Sequence, residues 1–220
     1  MSRAAWFAAA LTLAPAGAAG AADYVAPLIT LGDRSCVTAP DLSLAAQLVY
    51  AGREQNWDII VDGTAHCVQT GAGPVLYRAF RLPETSEPYI LTLASVPTGG
   101  SVLLPHLMML DAHGAVKREL TRDDFMFRGT GVKFTIFDRS PDFTLSTRIR
   151  SHSDETYLVV ESDAGAVGKA VTQTTENVNS FAAPVGTGVM VIHTGTDNTA
   201  QFTYTHTGKL QLKLEPVPKP

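Results

Sequence analysis

Beyond residue 75 the chain alternates short apolar runs with turn residues at intervals of about 8 to 15, the spacing of antiparallel strands in a sandwich or barrel. The predicted strands cover 76–82, 89–96, 106–111, 116–120, 132–137, 143–150, 156–161, 189–193, 200–205 and 209–214. In 143–150, Phe143, Leu145, Thr147 and Ile149 alternate with Thr144, Ser146, Arg148 and Arg150. That is the period-2 signature of a strand with one wet side. Val132, Phe134 and Ile136 alternate in the same way with Lys133 and Thr135. The run Leu107-Met108-Met109-Leu110 is apolar at every position, so both faces of that strand should be covered.

The last two strands invite a more specific expectation. Phe202 and Tyr204 must share a face with Leu210 and Leu212, because a slip of one residue would turn either set to solvent. Pairing 204 with 210 and 202 with 212 predicts a hairpin with the three-residue loop His206-Thr207-Gly208, in which Gly208 supplies a positive φ. One segment breaks the strand pattern. Val167, Val171, Thr174, Val178 and Phe181 recur at spacings of 4, 3, 4 and 3 among polar residues, which predicts one amphipathic helix over 163–182. Ser162 or Asp163 would cap its start and Pro184 would end it.

The amino terminus sets the compartment. Arg3 precedes an apolar run over 4–13, followed by small residues up to Ala22, the pattern of a cleaved secretory signal peptide over 1–22. Its apolar core of about ten residues is well short of the roughly 18 to 20 that a spanning helix needs, and no later stretch is long enough either. Residues 23–70 then read as a small N-terminal segment with a helix at 42–50 and a strand at 57–61, ahead of a β-sandwich domain over 71–220. In an exported chain Cys36 and Cys67, its two cysteines, are expected to form a disulfide that staples this segment to the sandwich. Loss of Arg3 takes the formal net charge from −4 to about −5, with no basic stripe for nucleic acid. The fold class expected is therefore mainly β: an antiparallel, jelly-roll-like β-sandwich with one amphipathic helix and a disulfide-stapled N-terminal segment.

The residues name no reaction. His106, Asp111 and His113 could converge on a metal, but Asp111-Ala112-His113-Gly114 reads better as a turn between strands. His206 falls in the predicted hairpin loop, and His66 and His152 read as loop residues. The chain has no G-x-S-x-G, so the local marker of a serine hydrolase is missing, and no glycine-rich phosphate loop precedes a helix. Asp123-Asp124 and Asp154-Glu155 read as solvated turn ends. No catalytic residue, metal or cofactor is expected. A secreted sandwich most readily binds carbohydrate through exposed rings, and Trp57 and Tyr50 are the candidates, with packing onto the sandwich as the competing role of Trp57.

The order Gly73-Pro74, Tyr77 to Pro83, Tyr89 to Ser95, Pro105 to Asp111 and Asp124-Phe125-Met126-Phe127, then Tyr157 to Val160, Thr172 to Thr175 and Gly208 to Leu214, resembles the maltose operon periplasmic protein family over roughly 73–214. The resemblance implies a periplasmic β-sandwich associated with maltodextrin uptake and carbohydrate transport. Its expected partner is an oligosaccharide or, alternatively, another periplasmic or outer-membrane protein. It implies no catalytic residue.

Overall fold

The computed structural model describes residues 31, 32, 34–129, 143–185 and 188–218. The signal peptide expected at 1–22 and the strand expected at 132–137 lie outside them. The described strands are β1 (Ala46–Gln47), β2 (Gln55–Val61), β3 (His66–Thr70), β4 (Gly73–Arg81), β5 (Tyr89–Val96), β6 (Ser101–Leu103) and β7 (Pro105–Leu110). They continue with β8 (Val116–Leu120), β9 (Met126–Gly129), β10 (Phe143–Arg150), β11 (Tyr157–Ser162), β12 (Ala170–Val185), β13 (Gly188–Thr205) and β14 (Gly208–Pro216). One sheet runs β1-β4-β11-β7-β8 with β3 also on β4, a second runs β2-β14-β5-β10-β9, and a third runs β12-β13-β6.

The first two sheets face each other as a sandwich because their strands carry apolar residues at every second position. In β5, Tyr89, Leu91 and Leu93 are buried, and in β14, Leu210, Leu212 and Leu214 are buried. They meet Leu76, Leu107, Met109, Leu158 and Val160 of the first sheet in one core. The opposite face of β14 carries Lys209 and Lys213, paired with Asp58 at 3.1 Å and Glu215 at 2.7 Å. The first sheet is covered on both faces: Val75, Tyr77, Leu110 and Val159 form a second cluster with Leu42 and Ala45 against it. The apolar run of β7 is thereby explained, since Leu107 and Met109 enter one core while Met108 and Leu110 enter the other.

The segment with Leu42 and Ala45 is held there by the disulfide between Cys36 and Cys67 and by an isolated bridge from Val37 to Val68. The helix expected at 42–50 is instead a 3-10 turn, Leu42–Leu44, capped by Asp41 and followed by β1.

The amphipathic helix expected at 163–182 is overturned: the chain is a strand, β12, from Ala170 onward. The expected cap does start a turn, because Asp163 Oδ1 accepts from the Gly165 N–H at 2.8 Å and Asp163 O accepts from Ala166 and Val167. Gly168 ends it at φ +80°. Past it, the valines and threonines at 171, 172, 174, 175 and 178 are stiff at χ1 and favour a pleated backbone. Their 3–4 spacing was too sparse to outweigh that preference.

The closing hairpin is also corrected. β13 pairs with β12 and, at Thr203–Thr205, in parallel with β6, whereas β14 pairs with β2 and β5. The face assignment survives, since Phe202, Tyr204, Leu210 and Leu212 all enter the main core. Gly208 has no positive φ. Its glycine serves close approach: a Cβ there would stand 2.7 Å from Leu103 Cβ and 3.3 Å from the Leu103 nitrogen. Gly208→Ala is therefore expected to destabilise the fold by about 1–3 kcal/mol through overpacking, read as a lower urea midpoint at unchanged m-value. An unchanged midpoint would show that Leu103 moves aside freely.

Candidate functional site

Three chain connections meet at one end of the sandwich and enclose a cleft of about 390 Å³. They are the 82–88 loop between β4 and β5, the 151–156 loop between β10 and β11, and the tip of the β7–β8 turn. The chemistry at the walls comes from Arg81, Glu84, Glu87, Tyr89, His152 and Glu155. Backbone bonds fix the frame: Ser151 N–H donates to Tyr89 O at 2.9 Å, Leu82 N–H to Thr156 O at 2.8 Å and Thr156 N–H to Leu110 O at 2.7 Å. The Ser151 hydroxyl accepts from the Tyr89 N–H at 3.0 Å. Pro83 and Pro88 bracket the first loop and hold its φ angles at both ends.

Glu155 anchors the floor. Its carboxylate accepts from the Arg118 guanidinium at 2.8 and 2.9 Å and from the His152 N–H at 3.2 Å, while its side chain is only 3% exposed. This corrects the reading of Glu155 as a solvated turn end, whereas Asp154 is exposed in the turn as expected. Arg81 forms an ion pair with Glu84 on the cleft rim. Burial, and secondarily the charge of Glu155, push the Tyr89 phenol well above its ordinary range, so it stays a neutral hydroxyl.

The two rings singled out as ligand candidates occupy different places. Tyr50 is half-buried and packs on Tyr89, with centroids 5.3 Å apart and planes tilted by 42°, which sets it beside the cleft. Trp57 projects from β2 on the same face as the buried Ile59 and Val61 and packs on the main core. It edges a separate shallow hollow with Asn56, Asp58 and Gln211.

A second cluster lies on the outer face of the first sheet. His106 of β7 stands opposite Glu161 of β11 in the ladder, and its Nδ1 lies 2.6 Å from Glu161 Oε1 while Nε2 lies 2.6 Å from Glu119 Oε1. Ionised carboxylates only accept, so bonding to both requires both ring N–H groups, which means the imidazolium. The hydrogen bond that His106 donates to Glu161, offset in part by burial and reinforced by the charges of Glu161 and Glu119, holds His106 above its ordinary value. Stability from this bridge is thus full below the unfolded histidine value of about 6.5 and is lost as pH rises through the higher folded value. The stability difference between wild type and His106→Gln is expected to be larger at pH 6 than at pH 9 in urea titrations. Equal differences would show that the charge on the ring carries no weight.

The other histidines divide. His113 sits in the turn expected for it: Asp111 Oδ1 accepts from the His113 and Ala115 N–H groups, each at 2.9 Å, and Gly114 takes φ +82°. His206 is not a solvated loop residue. It is half-buried, its Nδ1 lies 3.0 Å from Ser162 Oγ, and burial lowers its pKa. Ser162 is 1% exposed. His66 lies on β3 with its ring 5.6 Å from that of Tyr77. Among the described residues no helix is long and apolar enough to cross a membrane.

No curated protein and no solved structure matches the chain. The model of the family described as maltose operon periplasmic protein precursor (MalM) matches residues 71–214, which run from just before β4 almost to the end of β14 and include the three connections of the loop-end cleft, and the chain belongs to that family.

Proposed function

We propose that this chain is a non-enzymatic accessory protein of the periplasm that assists maltodextrin uptake by binding an oligosaccharide. The observation that carries this reading is the family match over 71–214, which ties the chain to a maltose operon and to the periplasm. The signal-peptide pattern of 1–22 agrees with that compartment. Trp57 and Tyr50 are the ring candidates for a sugar face, and both are partly buried against the core with an edge left over. Calorimetric titration of maltoheptaose into the exported chain is expected to give saturable heat. Absence of heat at millimolar sugar would overturn the reading.

One observation favours a second reading, a docking module for another envelope protein. The ribbon of β12 and β13 keeps its antiparallel ladder from Ala170↔Thr203 to Val185↔Gly188, yet β6 joins it only at Thr203–Thr205. Among the described residues the rest of the ribbon has no third strand, and unpaired edges are templates for strand addition. Replacing 175–198 with a short glycine-containing turn is expected to leave the sandwich folded and to remove association with such a partner. Full retention of association would discard the ribbon as the docking element.

A further inference from the structure

We infer that the oligosaccharide site is the loop-end cleft beside Tyr50, and that its ligand is a neutral, hydroxyl-rich chain and not an acidic one. This rests on the oligosaccharide reading above and adds to it a place and a chemical class.

The first ground is that the cleft is built before any ligand arrives. Its walls are tied to one another by backbone bonds between Tyr89 and Ser151 and between Leu82 and Thr156, and its floor by the Arg118–Glu155 pair. A volume of about 390 Å³ falls within the roughly 300–1,000 Å³ of small-ligand sites. A preformed wall lowers the ordering cost of binding.

The second ground is the balance of groups. Arg81 offers planar N–H donors, Glu84 and Glu87 offer acceptors, and the loop adds the hydroxyls of Thr85, Ser86 and Ser153. Alternating donors and acceptors match vicinal sugar hydroxyls, each of which donates once and accepts twice. Acidic ligands fit less well. An anion would face Glu84, Glu87 and Glu155, the last already satisfied by Arg118, while the guanidinium of the rim, Arg81, is already paired with Glu84.

The third ground is the aromatic pair. Tyr89 is 4% exposed and lines the cleft, and the half-buried Tyr50 rests on it at a tilt just outside that lining. That ring gives an apolar surface for the C–H face of a pyranose next to the polar wall. Trp57 lacks this setting, because its hollow is bordered only by Asn56, Asp58 and Gln211, two of which already bond to each other at 3.4 Å.

The test titrates maltoheptaose into the full exported chain by calorimetry, for wild type, Arg81→Ala, Glu87→Ala, Tyr50→Ala, Tyr50→Phe and Trp57→Ala. An oligogalacturonate of similar length serves as the charged probe. Arg81 and Glu87 are exposed, so their variants keep the fold, and Tyr50→Phe keeps the ring if Tyr50→Ala does not fold. The expected result is at least tenfold weaker binding for Arg81→Ala and Tyr50→Ala, near wild-type binding for Tyr50→Phe and Trp57→Ala, and no heat with the charged probe. Binding abolished by Trp57→Ala and untouched at Arg81 and Tyr50 would overturn the cleft and leave the functional reading standing. Preference for the charged probe would overturn the ligand class. No sugar heat with wild type would overturn both readings.

Discussion

Replacing Cys36 and Cys67 together by alanine is expected to lower the unfolding free energy by about 3–4 kcal/mol in the chain-entropy account of cross-links. The two cysteines are 31 positions apart, so the unfolded chain regains a long loop when the bond is absent. A native-state consequence accompanies it. The bond and the contacts next to it, Val37 N–H to Cys67 O at 3.1 Å and Gln69 N–H to Val37 O at 2.8 Å, hold the 36–45 segment over the outer face of the first sheet. Without the cross-link, Leu42 and Ala45 lose their anchorage over Val75, Tyr77 and Val159. The measurement is urea unfolding of the oxidised wild type, the reduced wild type and the double variant. Reduced and variant forms should share one lowered midpoint. Coincident midpoints for all three would mean that the segment adds nothing to the fold beyond its own contacts.

How much of this was legible in the sequence depended on whether a signal was local. The limits of β5, β8 and β10 coincide with the expected strands because each run has either period-2 alternation or turn residues at both ends. The covered faces of β7 followed from four consecutive apolar residues. By contrast, β3 carries one strongly apolar residue, Val68, in His66–Thr70, and β6 has three residues whose parallel partner lies a hundred positions away. Neither leaves a periodic trace. The hairpin error has a different cause: alternation fixes which face a residue occupies, but not which strand lies beside it. Phe202 and Leu212 were assigned to the right core through the wrong neighbours.

The site was less legible than the fold for the same reason. Tyr50 stands in the sequence only as a ring close to Trp57, and the cleft beside it is assembled from loops of three connections. The Arg118–Glu155 pair joins positions 37 apart, and neither member belongs to a spaced motif. The one local hint was Pro83 and Pro88 around the polar stretch Glu84-Thr85-Ser86-Glu87, which marks a stiff polar loop without saying what faces it. His106 could be singled out in the sequence, yet its partners Glu119 and Glu161 arrive from two different strands, so the metal reading and the ion bridge could not be separated there.

That asymmetry between the members of the floor pair makes the second large effect predictable. Arg118→Met is expected to destabilise the fold by about 3–5 kcal/mol, because it leaves a buried carboxylate without its counter-charge. Glu155 is 3% exposed and would retain only the His152 N–H. Arg118, 28% exposed, has its own route to water, so Glu155→Gln should cost less. The size is drawn toward the lower end by one compensation. The Arg118 Nε is buried with no partner among the described residues, and an unsatisfied buried donor costs about 1–3 kcal/mol, a penalty the methionine removes. Arg118→Met with Glu155→Leu should then lie well above Arg118→Met alone in stability, since a packed apolar pair often matches a buried ion pair. Urea titration of Arg118→Met, Glu155→Leu and the double variant closes the cycle. Strict additivity would refute coupling between the two side chains, and with it the floor pair that holds the loop-end cleft in shape.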